Sequence, residues 1–181
     1  MFEAVTKKLE RTEYFLNNIK DMALASGGLP HVKATDQNKL RANLDAFFFE
    51  LLSSKDIFLQ RVNDKYAHLR RKDGTKIGIL KPHLVGYPNA LAVVEAIEKE
   101  MSQGTWLWIL NNYRNAATHC ELLGFHYEAG RSSHVEAYLH KNPEDPSQGH
   151  ADIEVIPYCE QSLSKMKAFL DERYSQLHIT S

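Results

Sequence analysis

Apolar residues recur at helical spacing along most of the chain. This spacing predicts a first helix over residues 2–24, which a Gly-Gly pair and Pro30 bring to an end. A second helix is predicted to begin near Thr35 or Asp36, either of which suits the N-cap position, and to run to about Tyr66. The sequence therefore predicts two long helices in the first third of the chain.

The middle of the chain continues this pattern after an interruption. Residues 69–88 are predicted to connect the second and third helices, with a turn and a short strand at Ile77–Leu80. A third helix is predicted over residues 89–103, and a fourth from Thr105 to about Leu123. The pattern up to this point is that of a helical bundle.

Two segments near the C-terminus alternate between apolar and polar residues instead. Ser133–His140 and Ala151–Tyr158 flank a polar loop, and together they predict a two-stranded hairpin with a long tip. The last helix is predicted over Cys159–Leu177. We therefore expect an all-α fold, a bundle of about five helices in one domain over residues 1–181, with a small β-hairpin at about 131–157 inserted before the last helix.

Composition limits where the protein works and what it binds. The hydrophobic fraction of 43% is sufficient for a core, and the net charge of −1 excludes a globally basic surface for nucleic acid. Two cysteines are too few for a disulfide framework. The charged N-terminus does not resemble a signal peptide, and we find no apolar run of membrane-spanning length. We expect a cytoplasmic protein without a membrane partner.

The predicted fourth helix has two unlike faces. Its apolar stripe, which should meet the core, contains Trp106, Ile109, Leu110, Tyr113, Ala116, Ala117, Cys120 and Leu123. The opposite face contains Leu107, Trp108, Asn111, Arg114, Asn115, Thr118, His119 and Leu122. Lys and Glu are absent from this second face, so it predicts a cleft wall or a subunit interface rather than a solvated surface.

Three residues of this second face suit the cleavage of RNA. The 2′-hydroxyl is the nucleophile, so the reaction needs an acid and base, for which His119 is suited, and positive charge on the phosphorane, which Arg114 can supply. Asn115 can orient either group. Neither a metal nor another cofactor is implied. Arg114 and His119 lie about 140° apart around one helix, so two helices meeting across a two-fold axis would bring them together more easily.

The segment from Arg114 to His119 resembles the R-x(4–6)-H motif of the HEPN family, including the polar residue after the arginine. The resemblance implies a bundle of about five helices and a homodimer with both motifs in one cleft. It also implies a metal-independent endoribonuclease of a toxin–antitoxin, phage-defence or RNA-processing system, which can have an antitoxin partner. An acidic or polar residue often holds the arginine in this family, for which Asp45 and Glu50 are candidates.

Two further groups of residues are predicted to contact RNA. Asn111 and Thr118 share the motif's helix face, and Arg70 and Arg71 lie in the densest basic stretch, which also suits a solvated loop. The motif spacing itself recurs at Arg61–His68 and Arg173–His178. The residues that follow those two arginines are Val62 and Tyr174, so the polar neighbour is found only after Arg114.

Other functions remain open. A HEPN-like module could bind or dimerise through the second face of the fourth helix without catalysis. A metal-dependent helical hydrolase is a weaker alternative. Four histidines in the hairpin region, His126, His134, His140 and His150, raise the question of a zinc site, but their spacing matches no standard ligand set.

Overall fold

The chain is mainly helical, with a small antiparallel sheet before the last helix. A computed structural model describes residues 1–119, 123, 125–129, 135–143 and 145–177, and gives the backbone alone for residues 118, 119, 129 and 146. The helices are α1 (Glu3–Ser26), α2 (Ala34–Val62), α3 (Ile77–Leu80), α4 (Pro88–Glu100), α5 (Trp106–His119) and α6 (Val155–Gln176). The strands are β1 (Phe125–Ala129), β2 (Val135–His140) and β3 (His150–Glu154).

Helices α1 and α2 form a long antiparallel pair that organises the core. The predicted first helix is confirmed, and it ends where Gly27 adopts a left-handed φ of 74° and Gly28 N–H donates to the Ala23 carbonyl at 2.8 Å. The largest fully buried side chains of the molecule are Tyr113, Phe47, Phe48, Phe58, Ile19, Leu40, Leu44, Leu51, Leu52, Leu59, Leu80 and Leu84. Most of these residues lie on α2, so this helix is the centre about which the others pack.

The boundaries of the second predicted helix need correction. Lys33, rather than Thr35 or Asp36, is the N-cap residue of α2, because its carbonyl accepts the N–H groups of Asp36 and Gln37. Asp36 instead lies in the first turn, where a carboxylate is favoured by the helix dipole. At its other end α2 passes into one π-helical turn, Asn63–Ala67, close to the predicted end at Tyr66.

The predicted strand at Ile77–Leu80 is wrong, because these residues form helix α3. The Lys76 carbonyl accepts the N–H groups of Ile79 and Leu80, and a 3₁₀ turn, Lys81–Leu84, follows directly. An apolar run of only four residues does not distinguish a helical turn from a strand by its periodicity. The next two predicted helices are confirmed as α4 and α5, with α5 described as far as His119 and residues 120–122 outside the described part.

The predicted hairpin is a sheet of three strands in the order β1-β2-β3. Strand β1 was not predicted, and the second predicted strand ends at Glu154, since Val155 already begins α6. Pro157 explains the early helix, because proline lacks the N–H that a strand would need and is tolerated in the first turn of a helix. The fold is therefore mainly α rather than all-α.

Pairing in the sheet places polar and apolar residues on opposite faces. His126 lies opposite Tyr138, Glu128 lies opposite Glu136, and His140 lies opposite His150. Directly opposed residues point to the same side of an antiparallel sheet, so these six residues share one face. The other face of β2 carries Ala137 and Leu139, which are buried in the core.

Candidate functional site

Helix α5 lies antiparallel to α2, and this packing determines where the predicted catalytic residues lie. The rings of Tyr113 and Phe48 stack with centroids 5.0 Å apart, and the Tyr113 hydroxyl donates to the His140 carbonyl at 2.6 Å. Burial raises the pKa of Tyr113, so the phenol remains a hydrogen-bond donor. Tyr113 therefore anchors α5 to the core on one side and to the sheet on the other.

Arg114 contacts a carboxylate of α2. Its Nη1 lies 3.0 Å from Asp56 Oδ2, while the other oxygen of Asp56 lies 2.7 Å from Lys55 Nζ. The Arg114 side chain is 27% exposed, whereas Lys55 is buried. The ion pair therefore orients the guanidinium on a side chain that is partly exposed to solvent.

Asp56 is a residue that the sequence analysis did not single out. Of the two carboxylates that it did suggest, Glu50 forms ion pairs with Lys8 and Arg11 of α1. Asp45 accepts the N–H of Leu123 at 3.3 Å, and burial raises the pKa of Asp45 above its ordinary value. The partner of Arg114 is 58 residues away in the chain, so local spacing contains no signal for it.

The rest of the motif lies along the same helix. Asn111 and Asn115 are half-buried, and His119 is the last described residue of α5. The side chains of Thr118 and His119 lie outside the described part, so the convergence of His119 with Arg114 stays a prediction. The backbone places Asn115 and His119 one helical turn apart on the same side of α5.

The second face of α5 is more enclosed than the sequence predicted. We assigned Leu107 to this face, but its side chain is fully buried in the core, so that assignment was wrong. Between Trp106 and Ala117 every side chain is at least half-buried, and on the second face these include Trp108, Asn111 and Asn115. Much of this face is thus covered by other parts of the same chain.

Arg70 and Arg71 lie in the exposed turn that follows α2. The side-chain amide of Asn63 holds this turn, because it donates to the Leu69 carbonyl at 3.1 Å and accepts the Leu69 N–H at 2.9 Å. Arg71 borders a cavity of about 580 Å³. The lining comes from α1, α2 and the turn, namely Ala4, Ile57, Gln60, Arg61, Asp64, Leu69 and Arg71. Arg114 is not among these lining residues.

A second group of reactive side chains lies on the polar face of the sheet. His126, Glu128 and His150 each place a ligand atom within 4.8 Å of the others. The pKa of His150 is raised, first by its hydrogen bond to the Ala151 carbonyl and also by Glu128, whereas burial and the neighbouring His126 lower the pKa of His140. Sequence reasoning weighed the histidines but missed Glu128. The alternation within residues 125–129, with His126 and Glu128 on one side, was the signal available.

Comparison with known proteins adds no family assignment. No known protein family, curated protein or solved structure was found to match this chain. Within the described residues, none of the helices combines the length and the apolar character that crossing a lipid bilayer requires. The resemblance of Arg114–His119 to the HEPN motif therefore stays a prediction, and the argument for function depends on the site itself.

Proposed function

We propose that this protein is a metal-independent endoribonuclease that acts at the cleft of a homodimer. The observation that carries the proposal is the position of Arg114, which Asp56 orients and whose side chain is 27% exposed. This arginine lies on the same helix as His119. A charged group held in a fixed direction before substrate binds is what stabilisation of a phosphorane requires.

The reaction assigns one role to each residue. A base removes the proton from the 2′-hydroxyl, the 2′-oxygen forms a bond to phosphorus, and the bond from phosphorus to the 5′-oxygen breaks as that oxygen gains a proton. His119 acts in these proton transfers, Arg114 stabilises the negative charge on phosphorus, and Asn115 positions one or the other. The products carry a 2′,3′-cyclic phosphate and a 5′-hydroxyl.

The geometry of one helix supports the dimer. Arg114 and His119 lie about 140° apart around α5, so a second copy is the simplest source of the complementary group. The dimer contact would lie at the C-terminal half of α5, because Arg114, Asn115 and His119 lie there. Asn111 and Thr118 would then line the cleft, while Arg70 and Arg71 would contact RNA outside it. We further propose a cytoplasmic location and an antitoxin as a possible partner.

An RNA cleavage assay in EDTA tests this function. Wild-type protein should cleave RNA, His119→Ala should lower the rate by about 10²–10⁴-fold, and Arg114→Ala by about 10²–10³-fold. Arg11→Ala is the matched control, because Arg11 of α1 likewise forms an ion pair with a carboxylate of α2, that of Glu50, outside the proposed RNA contacts. Full activity of His119→Ala, or equal losses in all three variants, would refute the assignment.

Mixing the two inactive variants tests the shared cleft. A heterodimer of Arg114→Ala and His119→Ala protomers still contains one intact arginine and one intact histidine, so mixing should restore part of the activity. Light scattering should give the mass of a dimer for each protein. A monomer, or a mixture as inactive as its components, would contradict the dimeric site.

A binding module is the second candidate, and a specific observation favours it. The chain of contacts from Lys55 through Asp56 to Arg114 also suits a structural ion pair that holds α5 on α2. In that case Arg114→Ala should lower the free energy of unfolding, RNA should remain intact with wild-type protein, and the C-terminal half of α5 should serve as a partner interface alone.

A further inference from the structure

Three side chains with metal-binding atoms meet above the middle strand of the sheet. His126 and Glu128 are two residues apart on β1, so they share a face, and His150 begins β3 on the far side of β2. The outer strands pair with β2 and not with each other. The three side chains therefore reach across β2 towards one point, which brings together residues that are separated in the chain.

The distances match the spacing of ligands around a tetrahedral metal. Glu128 Oε1 lies 3.0 Å from His150 Nε2 and 3.3 Å from His126 Nε2. Bonds of about 2.0–2.1 Å from zinc to nitrogen or oxygen place the ligand atoms of a tetrahedron about 3.3 Å apart. The two histidine rings stack with centroids 4.8 Å apart at an angle of 28°, so both rings approach from the same side.

The hydrogen bond of His150 orients Nε2 of its ring towards this point. His150 Nδ1 lies 2.7 Å from the Ala151 carbonyl, an acceptor, so Nδ1 carries the proton. Nε2 is then the ring atom that faces the carboxylate oxygen of Glu128 at 3.0 Å, and it can either donate a proton to that oxygen or share a cation with it. A backbone carbonyl that fixes the tautomer of a histidine in this way is typical of metal ligands.

The cluster can exist in two forms. Without a metal, His126 and His150 each donate a proton from Nε2 to Glu128. With a metal, one divalent cation replaces these two protons and bonds to all three groups. The ring of Tyr138 lies 4.5 Å from that of His150 and restricts its movement, while the Tyr138 hydroxyl donates to Glu136 Oε2 at 2.6 Å.

We propose that His126, Glu128 and His150 bind one divalent first-row transition-metal ion of the zinc class. Two imidazoles and a carboxylate suit Zn²⁺, Co²⁺, Ni²⁺ or Cu²⁺ better than Mg²⁺ or Ca²⁺, which prefer oxygen ligands. The side chains are 38%, 49% and 25% exposed, so the site is accessible to an ion, and a fourth position is left for water or another ligand. The metal would join β1 to β3.

Calorimetric titration with Zn²⁺ tests the site in the full chain. The protein carries no histidine tag, and it is first treated with EDTA to remove bound metal and then dialysed. We expect one ion per chain, and a loss of affinity of at least about 100-fold in His126→Ala, His150→Ala and Glu128→Gln. The matched controls are Glu136→Gln, which alters the carboxylate opposite Glu128, and His83→Ala, which removes an exposed histidine elsewhere. Both controls should bind Zn²⁺ as the wild type does.

The visible spectrum of bound Co²⁺ and circular dichroism provide two further tests. Co²⁺ in place of Zn²⁺ should give the visible spectrum of a tetrahedral or five-coordinate ion in the wild type and in the controls but not in Glu128→Gln, and circular dichroism should show that this variant is folded. Absence of stoichiometric binding, or unchanged affinity in the three ligand variants, would show a protonated His–Glu–His cluster and overturn the metal site. RNA cleavage in EDTA does not involve these residues, so either proposal can fail alone.

Discussion

Asp45 shows how one residue can link the stability of the protein to pH. Its carboxylate is half-buried on α2, accepts one N–H from Leu123, and has Arg41 as a more distant cation. Desolvation by burial is the largest influence and raises the pKa of Asp45 above its ordinary value of 3.8. The folded protein therefore binds this proton more tightly than the unfolded chain does, and Asp45 favours folding less once it is ionised.

Asp45→Asn should remove that penalty while keeping an oxygen for the Leu123 N–H. A group whose pKa is raised on folding contributes stability that is lost as pH rises from its unfolded pKa through its folded pKa. The variant should thus gain in free energy of unfolding relative to wild type as pH rises from about 4 to 7. Urea unfolding followed by tryptophan fluorescence measures this difference. A difference that is constant or falls over this range would contradict the prediction.

At the scale of elements, the turn after α2 depends on the close approach of two segments. Gly74 packs against the amide that holds Leu69, and a Cβ at this position would lie 2.6 Å from Asn63 Nδ2 and 2.9 Å from Gln60 Oε1. Asn63 is buried and makes two hydrogen bonds to the turn. The position of Arg70 and Arg71 therefore depends on a glycine that follows them in the chain.

Gly74→Ala should displace this amide and lower the free energy of unfolding by about 1–3 kcal/mol. Gly78→Ala is the matched control. A Cβ at Gly78 meets nothing within 4 Å, and the residue lies in helix α3, so alanine there should be neutral or stabilising by up to about 1 kcal/mol. Urea unfolding of both variants provides the comparison. Equal stabilities would show that the Asn63 side chain can move aside while keeping its two hydrogen bonds to Leu69.

At the scale of the whole molecule, aromatic contacts join the two ends of the described chain. The ring of Phe2 lies edge-on to Phe58 of α2 at 5.6 Å and to Tyr174 of α6 at 4.9 Å. Nearby, the Tyr66 hydroxyl donates to the Leu177 carbonyl at 3.3 Å. The start of α1, the C-terminal half of α2 and the end of α6 thus share one cluster that closes the bundle.

Phe2→Ala should lower the free energy of unfolding by about 2 kcal/mol, because it removes two aromatic contacts and apolar burial from three helices at once. Tyr14→Ala is the control: Tyr14 is exposed and contacts only its neighbour Phe15 among the ring pairs of the described residues, so its loss should cost less than about 0.5 kcal/mol. Thermal unfolding should remain one transition in both variants. A stability unchanged by Phe2→Ala would show that the ends contribute little.

Helices α1, α2, α4 and α5 could be predicted from the sequence because a helix is formed by bonds between residues four apart, so its pattern is local. The same holds for the relative positions of Arg114, Asn115 and His119 on α5. The pairing of Arg114 with Asp56, the enclosure of Leu107 and the strand β1 depend on packing between distant segments. The meeting of His126, Glu128 and His150 depends likewise on strand order, which is decided by tertiary contacts and leaves no fixed spacing in the chain.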